Sequence, residues 1–213
     1  MKKFGIIFDV DGTLFDTREG IIQALNYVLK VYGRAPVEKS DESKYIGPPV
    51  KKALIEYQGM DEVEAEEAAD LYRRCYVEKF IGESALYDGT LETLVTLKRL
   101  GCFLGIATMK TMPQLETLLR NFDCDEFFTV LKAARADGSL TKSQMLKDIQ
   151  DEHPELNTFV MVGDTVGDFQ AAEKAGYRFV AADYGYGDVR NLETKHIGHI
   201  SELLEYHAYL CKK

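Results

Sequence analysis

No stretch of this 213-residue chain approaches 18 consecutive apolar residues, so no membrane span is expected. Cysteine is scarce and scattered. Cys75, Cys102, Cys124 and Cys211 form no CxxC pair and no zinc spacing. That pattern argues against a disulfide framework and points to reduced thiols in a cytoplasmic protein. Basic residues are also in deficit: 26 Lys and Arg stand against 35 Asp and Glu, a formal charge of −9. A nucleic-acid binder normally carries a basic face, so nucleic acid is not an expected partner. A small anionic substrate stays open, because a bound divalent cation can invert the local field. Two lysines follow Met1, but the apolar run behind them stops at Asp9, too early for a secretory leader.

What is present is an ordinary globular balance, 46% hydrophobic and 29% charged, enough for a sizeable core in one or two domains. Apolar runs at Phe4–Phe8, Phe103–Ala107, Phe159–Val162 and Arg178–Ala182, with a weaker one at Phe127–Leu131, predict strands. They are mostly apolar rather than alternating, as in strands covered on both faces. Helical stripes lie between them. Leu91, Leu94, Val95, Leu97 and Leu100 make one, stopped by Gly101, and Leu115, Leu118, Leu119 and Phe122 make another after Thr111 and Pro113. Further helices are predicted at Lys142–Asp151, Phe169–Ala175 and Ser201–Leu210. This alternation predicts an α/β fold with a doubly wound parallel sheet.

Residues 16–84 break the rhythm and read as helices near Arg18–Tyr32, Val50–Tyr57 and Asp61–Phe80. The expectation is a core of residues 1–15 and 85–213 with a small α-helical domain, 16–84, inserted after the first strand.

The first apolar run drives into Asp9-Val10-Asp11-Gly12-Thr13. On a strand, acids at i and i+2 share a face, and like charges side by side are unfavourable. Folding does not ask for that pattern, whereas a cation or a phosphoryl-transfer site does. In an open parallel sheet, ligands bind beyond the carboxyl ends of the strands. That edge would collect Asp9 and Asp11, then Thr108 with Met109 and Lys110 after it, Lys142 at a helix start, and Gly163-Asp164-Thr165-Val166-Gly167-Asp168. Each has an ordinary reading as well. Asp164 or Thr165 with Asp168 can simply cap a helix, and Lys142 taken alone is a surface lysine. Gly185-Tyr186-Gly187 could approach a phosphate but reads at least as well as a glycine turn. Asp16 could cap the first helix of the block or steer its hinge, the structural role being favoured, and Arg73 and Arg74 would suit a substrate clamp, although mid-helix arginines are mostly solvated.

Together and in this order the motifs resemble the haloacid dehalogenase-like superfamily, in its phosphoglycolate-phosphatase-like subgroup with a helical cap. Asp9–Asp16 is similar to the first motif, Gly105–Thr108 to the second, Lys142 to the third and Gly163–Asp168 to the fourth. The resemblance implies a Rossmann-like core, and Mg²⁺ held by Asp9, Asp164 and Asp168 with a backbone carbonyl near Asp11. It implies Asp9 as nucleophile forming an aspartyl-phosphate, and Asp11 as general acid and base. Lys142, the Thr108 hydroxyl and backbone N–H groups of Asp11–Gly12 and Met109 would bind the phosphoryl oxygens. Tyr45 and Lys51, flanking Gly47-Pro48-Pro49, would face the substrate from the cap.

Two departures stand out. No proline follows Lys142, and Met109 replaces the usual asparagine or serine. Neither removes a required group, although Met109 is bulky enough to reshape the pocket. The expected activity is that of a phosphatase on a small phosphorylated metabolite, from a monomer or weak dimer. A phosphomutase of the same architecture is the alternative, and a non-hydrolysing phospho-acceptor is the alternative of another class. Asp11 favours phosphoryl transfer over carbon–halogen cleavage, because a halide leaves without a proton.

Overall fold

In chain order the elements are β1 (Phe4–Phe8), β2 (Phe15–Asp16), α1 (Arg18–Val31), α2 (Val50–Gln58), α3 (Glu62–Cys75), β3 (Ala85–Leu86), α4 (Thr90–Arg99), β4 (Phe103–Thr111) and α5 (Met112–Asn121). There follow β5 (Val130–Ala134), α6 (Lys142–Glu152), β6 (Thr158–Gly163), α7 (Val166–Ala175), β7 (Arg178–Ala182), β8 (Lys195–Ile197) and α8 (Glu202–Cys211). The computed structural model describes residues 4–211, so Met1–Lys3, where the leader question arose, lie outside the described residues.

Strand β1 is buried at every position, as its unbroken apolar sequence requires. It lies between β4 and β6 in a six-stranded sheet ordered β5-β4-β1-β6-β7-β8, with parallel pairing throughout. Ile6 and Phe8 point into one buried cluster, with Leu94, Leu97 and Leu118. Ile7 points into the other, with Met145, Leu146 and Met161. Helices therefore cover both faces, the Rossmann-like, doubly wound arrangement. The chain winds outward through β4 and β5 on one side of β1, then through β6, β7 and β8 on the other. The carboxyl ends of β1, β4 and β6 meet at this reversal, where such sheets bind ligands.

Helices α1, α2 and α3 lie between β2 and β3, which pair antiparallel through Phe15 with Leu86 and Asp16 with Ala85. The chain thus enters and leaves the helical block side by side. Asp61 starts α3 by accepting the N–H groups of Val63 and Glu64, each at 2.9 Å. The helix then widens into a π turn at Tyr76–Phe80. Gly20 of α1 sits against that turn, where a Cβ would come within 2.4 Å of the Phe80 carbonyl oxygen.

The structure corrects several expectations. The strand expected at Phe127–Leu131 begins at Val130, because Asp125–Phe127 close a 3₁₀ turn. In α4, Leu94 and Leu97 are buried, but Leu91 and Leu100 face solvent. Strand β4 runs on to Thr111, so Thr108 lies inside it rather than just past its end.

Candidate active site

Strand β1 ends at Phe8, and the chain turns at once. The carbonyl of Val10 accepts the N–H groups of Thr13, Leu14 and Phe15, and Gly12 sits at φ 74°. Strand alternation therefore does not set the aim of the two acids, which meet different lysines: Asp9 meets Lys142 and Asp11 meets Lys110. Each joins a different network.

Asp9 turns inward. Its Oδ1 lies 2.9 Å from Lys142 Nζ, and the same ammonium donates to Asp168 Oδ1. Lys142 reaches this point because it is the first residue of α6, which Thr141 caps by accepting the Gln144 N–H. Asp168 serves twice. Its Oδ2 accepts from the Thr165 N–H (3.1 Å) and hydroxyl (2.7 Å) in a capping box, while its Oδ1 faces Lys142. Asp164 is fully buried. Its Oδ1 accepts from the Thr13 hydroxyl at 3.3 Å, and its Oδ2 accepts the N–H groups of Tyr186 at 2.8 Å and Gly187 at 3.3 Å.

One carboxylate oxygen each from Asp9, Asp164 and Asp168 fall within 4.8 Å of one another, all three residues buried. Among the described residues, Lys142 is the ammonium paired with Asp9 and Asp168. Burial pushes Asp9 up to about 8, opposed by Lys142 and reinforced by Asp168, Asp11 and Asp164. Burial, with the charge of Asp168, pushes Asp164 up to about 6. Burial alone would lower Lys142, but Asp168 and Asp9 carry it above its ordinary value. The cluster holds more negative charge than its lysine neutralises. An all-oxygen donor set of carboxylates is the chemistry a hard divalent cation such as Mg²⁺ prefers, so these residues fit one.

The Asp11 side chain stands apart from this cluster. Its Oδ1 accepts from the Thr17 hydroxyl and lies 2.8 Å from Lys110 Nζ. Lys110 is only 5% exposed, and sequence reasoning assigned it no role. Its ammonium also donates to the Tyr76 hydroxyl at 3.1 Å and lies 4.6 Å from that ring's centroid. The backbone explains how it gets there. Between β4 and β5 the register steps from Thr108 opposite Ala133 to Thr111 opposite Ala134, so Met109 and Lys110 bulge out of the ladder. Such bulges re-aim side chains beside functional sites. Thr108 is buried, and its hydroxyl accepts the Lys110 N–H at 3.3 Å.

Beside this network lies a cavity of about 630 Å³ between the sheet edge and the helical block, with Asp11, Met109, Lys110, Tyr45, Lys51 and Arg73 among its wall residues. Tyr45 presents its ring there while its hydroxyl accepts from Gln58 at 2.7 Å. Lys51 is paired with Glu62 (3.0 Å) and Glu66 (2.9 Å). Arg73, read from sequence as solvated, is only 17% exposed and donates to the Ala136 carbonyl across the cavity. Asp9, 5% exposed, is not in the cavity wall. Gly12 is not in the wall either. It packs on the cluster, and a Cβ there would meet Asp164 Oδ2 at 2.2 Å.

Residues 6–182 match the family model of the haloacid dehalogenase-like hydrolases. The chain belongs to that family. A 5'-nucleotidase of Pseudomonas aeruginosa is 30% identical over 191 residues, spanning 89% of this chain and 86% of that protein. A phosphoglycolate phosphatase of Agrobacterium fabrum is 30% identical over 196 residues, 89% of this chain and 84% of that one. The tyrosine-protein kinase PtkA of Mycobacterium tuberculosis is 35% identical over 185 residues, 85% of this chain but 62% of that protein. Among solved structures, a predicted phosphatase from Clostridium acetobutylicum superposes with a TM-score of 0.89 at 28% identity, covering 98% of this chain and all of that one. The protein is therefore an enzyme, a hydrolase of this family.

Proposed function

We propose that this hydrolase is a Mg²⁺-dependent phosphatase acting on a small phosphorylated metabolite, with Asp9 as nucleophile and residues 16–84 as a cap over the site. The observation that carries the reading is the packing of Asp9 against Asp164, Asp168 and Lys142 at the carboxyl ends of β1 and β6. Relatives named 5'-nucleotidase and phosphoglycolate phosphatase support it.

Mg²⁺, held by Asp9, Asp164 and Asp168 with a backbone carbonyl near Asp11, would mask the charge that keeps a carboxylate away from an anionic ester. The remaining steps belong to the protein. An Asp9 oxygen attacks phosphorus in line with the leaving alkoxide, the ester P–O bond breaks, and an aspartyl-phosphate forms. Lys142, the Thr108 hydroxyl and the N–H groups of Asp11 and Met109 stabilise the phosphoryl oxygens, whereas the Gly12 N–H expected to help is already given to the Phe15 carbonyl at 2.9 Å. Asp11, on the cavity wall, gives its proton to the alkoxide. It then takes a proton from the water that attacks the phosphoenzyme and releases inorganic phosphate.

Lys110 and Thr17 hold Asp11 between these two acts. Tyr45 and Lys51 face the leaving group from the cap. Asp9 is shut away in this conformation, so the cap opens to admit the ester and closes to exclude water. Among the described residues no helix is long and apolar enough to cross a membrane, and all four cysteines are free. We read the protein as a cytoplasmic enzyme, a monomer or weak dimer.

The test is phosphate release from phosphoglycolate, nucleoside monophosphates, sugar phosphates and pyrophosphate, each with Mg²⁺ or EDTA. Mg²⁺-dependent release from one class supports the reading and names the substrate. Phosphate retained on the protein, or passed to a second sugar hydroxyl or to a tyrosine, replaces hydrolysis with transfer.

A further inference from the structure

Tyr186 sits between the carboxylate cluster and the entrance to the helical block, and it bonds to both. Its backbone N–H donates to Asp164 Oδ2 at 2.8 Å, with Gly187 N–H beside it at 3.3 Å. The two flanking glycines make that approach possible. A Cβ at Gly185 would lie 2.2 Å from Asp164 Cβ, and one at Gly187 would lie 2.2 Å from the Asp164 carbonyl oxygen.

The phenol points the other way, into the connection that leads to α1. Its oxygen accepts the N–H groups of Thr17 at 2.6 Å and Arg18 at 3.1 Å and donates to Asp16 Oδ1 at 2.7 Å. The Arg18 guanidinium lies over its ring, 4.8 Å from the centroid. Tyr184, two residues earlier, donates to the Thr13 carbonyl at 2.9 Å and packs edge-on against Tyr87, whose N–H bonds Leu14 just after the return strand β3. The loop after β7 therefore grips both crossings of the chain, and Tyr186, with Gly187 beside it, also holds a carboxylate of the cluster.

We propose that Tyr186 is a positioning residue that couples occupancy of the carboxylate cluster to the hinge of the helical block, an inference that rests on the Mg²⁺-binding reading above. A cation on Asp164 fixes the 185–187 loop, the loop fixes the phenol, and the phenol fixes the first turn of α1. The entropy of ordering the hinge is then shared with metal binding, so each favours the other to the same degree.

The experiment is amide hydrogen exchange, resolved by residue by NMR, on the full chain with Mg²⁺ alone, for wild type, Tyr186→Phe and Asp16→Ala. Tyr186→Phe keeps the ring and the amide on Asp164 and removes only the hydroxyl; Asp16→Ala breaks the same link from the hinge side. In wild type, Mg²⁺ slows exchange at Tyr186 and Gly187 and also at Thr17 and Arg18, by about tenfold. In both variants the protection at Tyr186 and Gly187 stays while that at Thr17 and Arg18 is lost, and Mg²⁺ binds about tenfold more weakly by calorimetry. Equal protection of Thr17 and Arg18 in wild type and variants overturns the coupling and leaves the metal reading intact. No protection anywhere in wild type overturns the metal reading and the coupling with it.

Discussion

Lys110 Nζ lies 2.8 Å from Asp11 Oδ1, just as Lys142 Nζ lies 2.9 Å from Asp9 Oδ1. Two acids only two residues apart thus meet two different buried ammoniums, one from β4 and one from α6, the second shared with Asp168. Lys110→Met should leave Asp11 held by Thr17 alone. We expect kcat on the preferred ester to fall by about 10²–10³, the range of a misplaced general acid. Stability should drop by about 3 kcal/mol, the low end for a broken buried pair, because Thr17 remains. The loss should be non-additive with Asp11→Asn. Steady-state kinetics and thermal unfolding check this, and an unchanged kcat contradicts it.

Gly12→Ala tests the turn that lets the backbone pack against Asp164. The position has φ 74°, and a Cβ there meets Asp164 Oδ2 at 2.2 Å and Tyr186 Cδ2 at 2.9 Å. Gly33→Ala is the control, with φ 65° and nothing within 4 Å. Both substitutions carry the backbone cost of about 1–2 kcal/mol. Only Gly12→Ala should abolish activity and the Mg²⁺-induced rise in Tm.

Stability without metal should depend on pH in a direction set by Asp9. Its folded value, pushed up to about 8 by burial, lies far above the 3.8 of a free carboxyl. Between those values the folded state holds a proton that the unfolded chain has released. Stability therefore falls as pH rises through the window, by up to about 1.4 kcal/mol per pH unit for one group. Asp164, pushed up to about 6, adds to the lower part of the same window. In EDTA, Tm should decline from about pH 5 to about pH 8, and less steeply in Asp9→Asn. Mg²⁺ displaces the proton, so it should raise Tm more at the higher pH. Equal slopes for the two proteins contradict this assignment.

Arg73→Ala removes a guanidinium that spans the cavity from α3 to the Ala136 carbonyl. We expect KM to rise about tenfold with kcat little changed, the pattern of lost uniform binding. A fall in kcat at constant KM argues instead for a role in closing the cap.

Much of this was legible in the sequence, for physical reasons. Strands β1, β6 and β7 are buried on both faces, so their apolar runs are unbroken and their limits plain. Phe127 and Phe128 imitate a strand, but they lie at a 3₁₀ turn whose Phe128 ring packs on Phe8, 6.3 Å away. Strand β8, Lys195-His196-Ile197, is a polar edge with only β7 as neighbour and no apolar signature. The β2–β3 pair is two residues long, below any periodicity.

In the site, the chain order of Asp9, Thr108, Lys142, Asp164 and Asp168 was readable, although Thr108 lies inside β4 rather than past its end, whereas two partners were not. Lys110 looks like any lysine at a strand end until the bulge after Thr108 turns it onto Asp11. Tyr186, between two glycines, looks like a turn residue until its amide is found on Asp164.

The most direct test of the central claim is rapid-quench mass spectrometry of the peptide spanning Asp9, during turnover of the preferred ester with Mg²⁺, in wild type and Asp9→Asn. A transient phosphorylated Asp9 is expected in wild type and absent with EDTA, with neither the adduct nor phosphate release in Asp9→Asn. Steady phosphate release by Asp9→Asn, or turnover in wild type with the phosphoryl group on another residue, would contradict it.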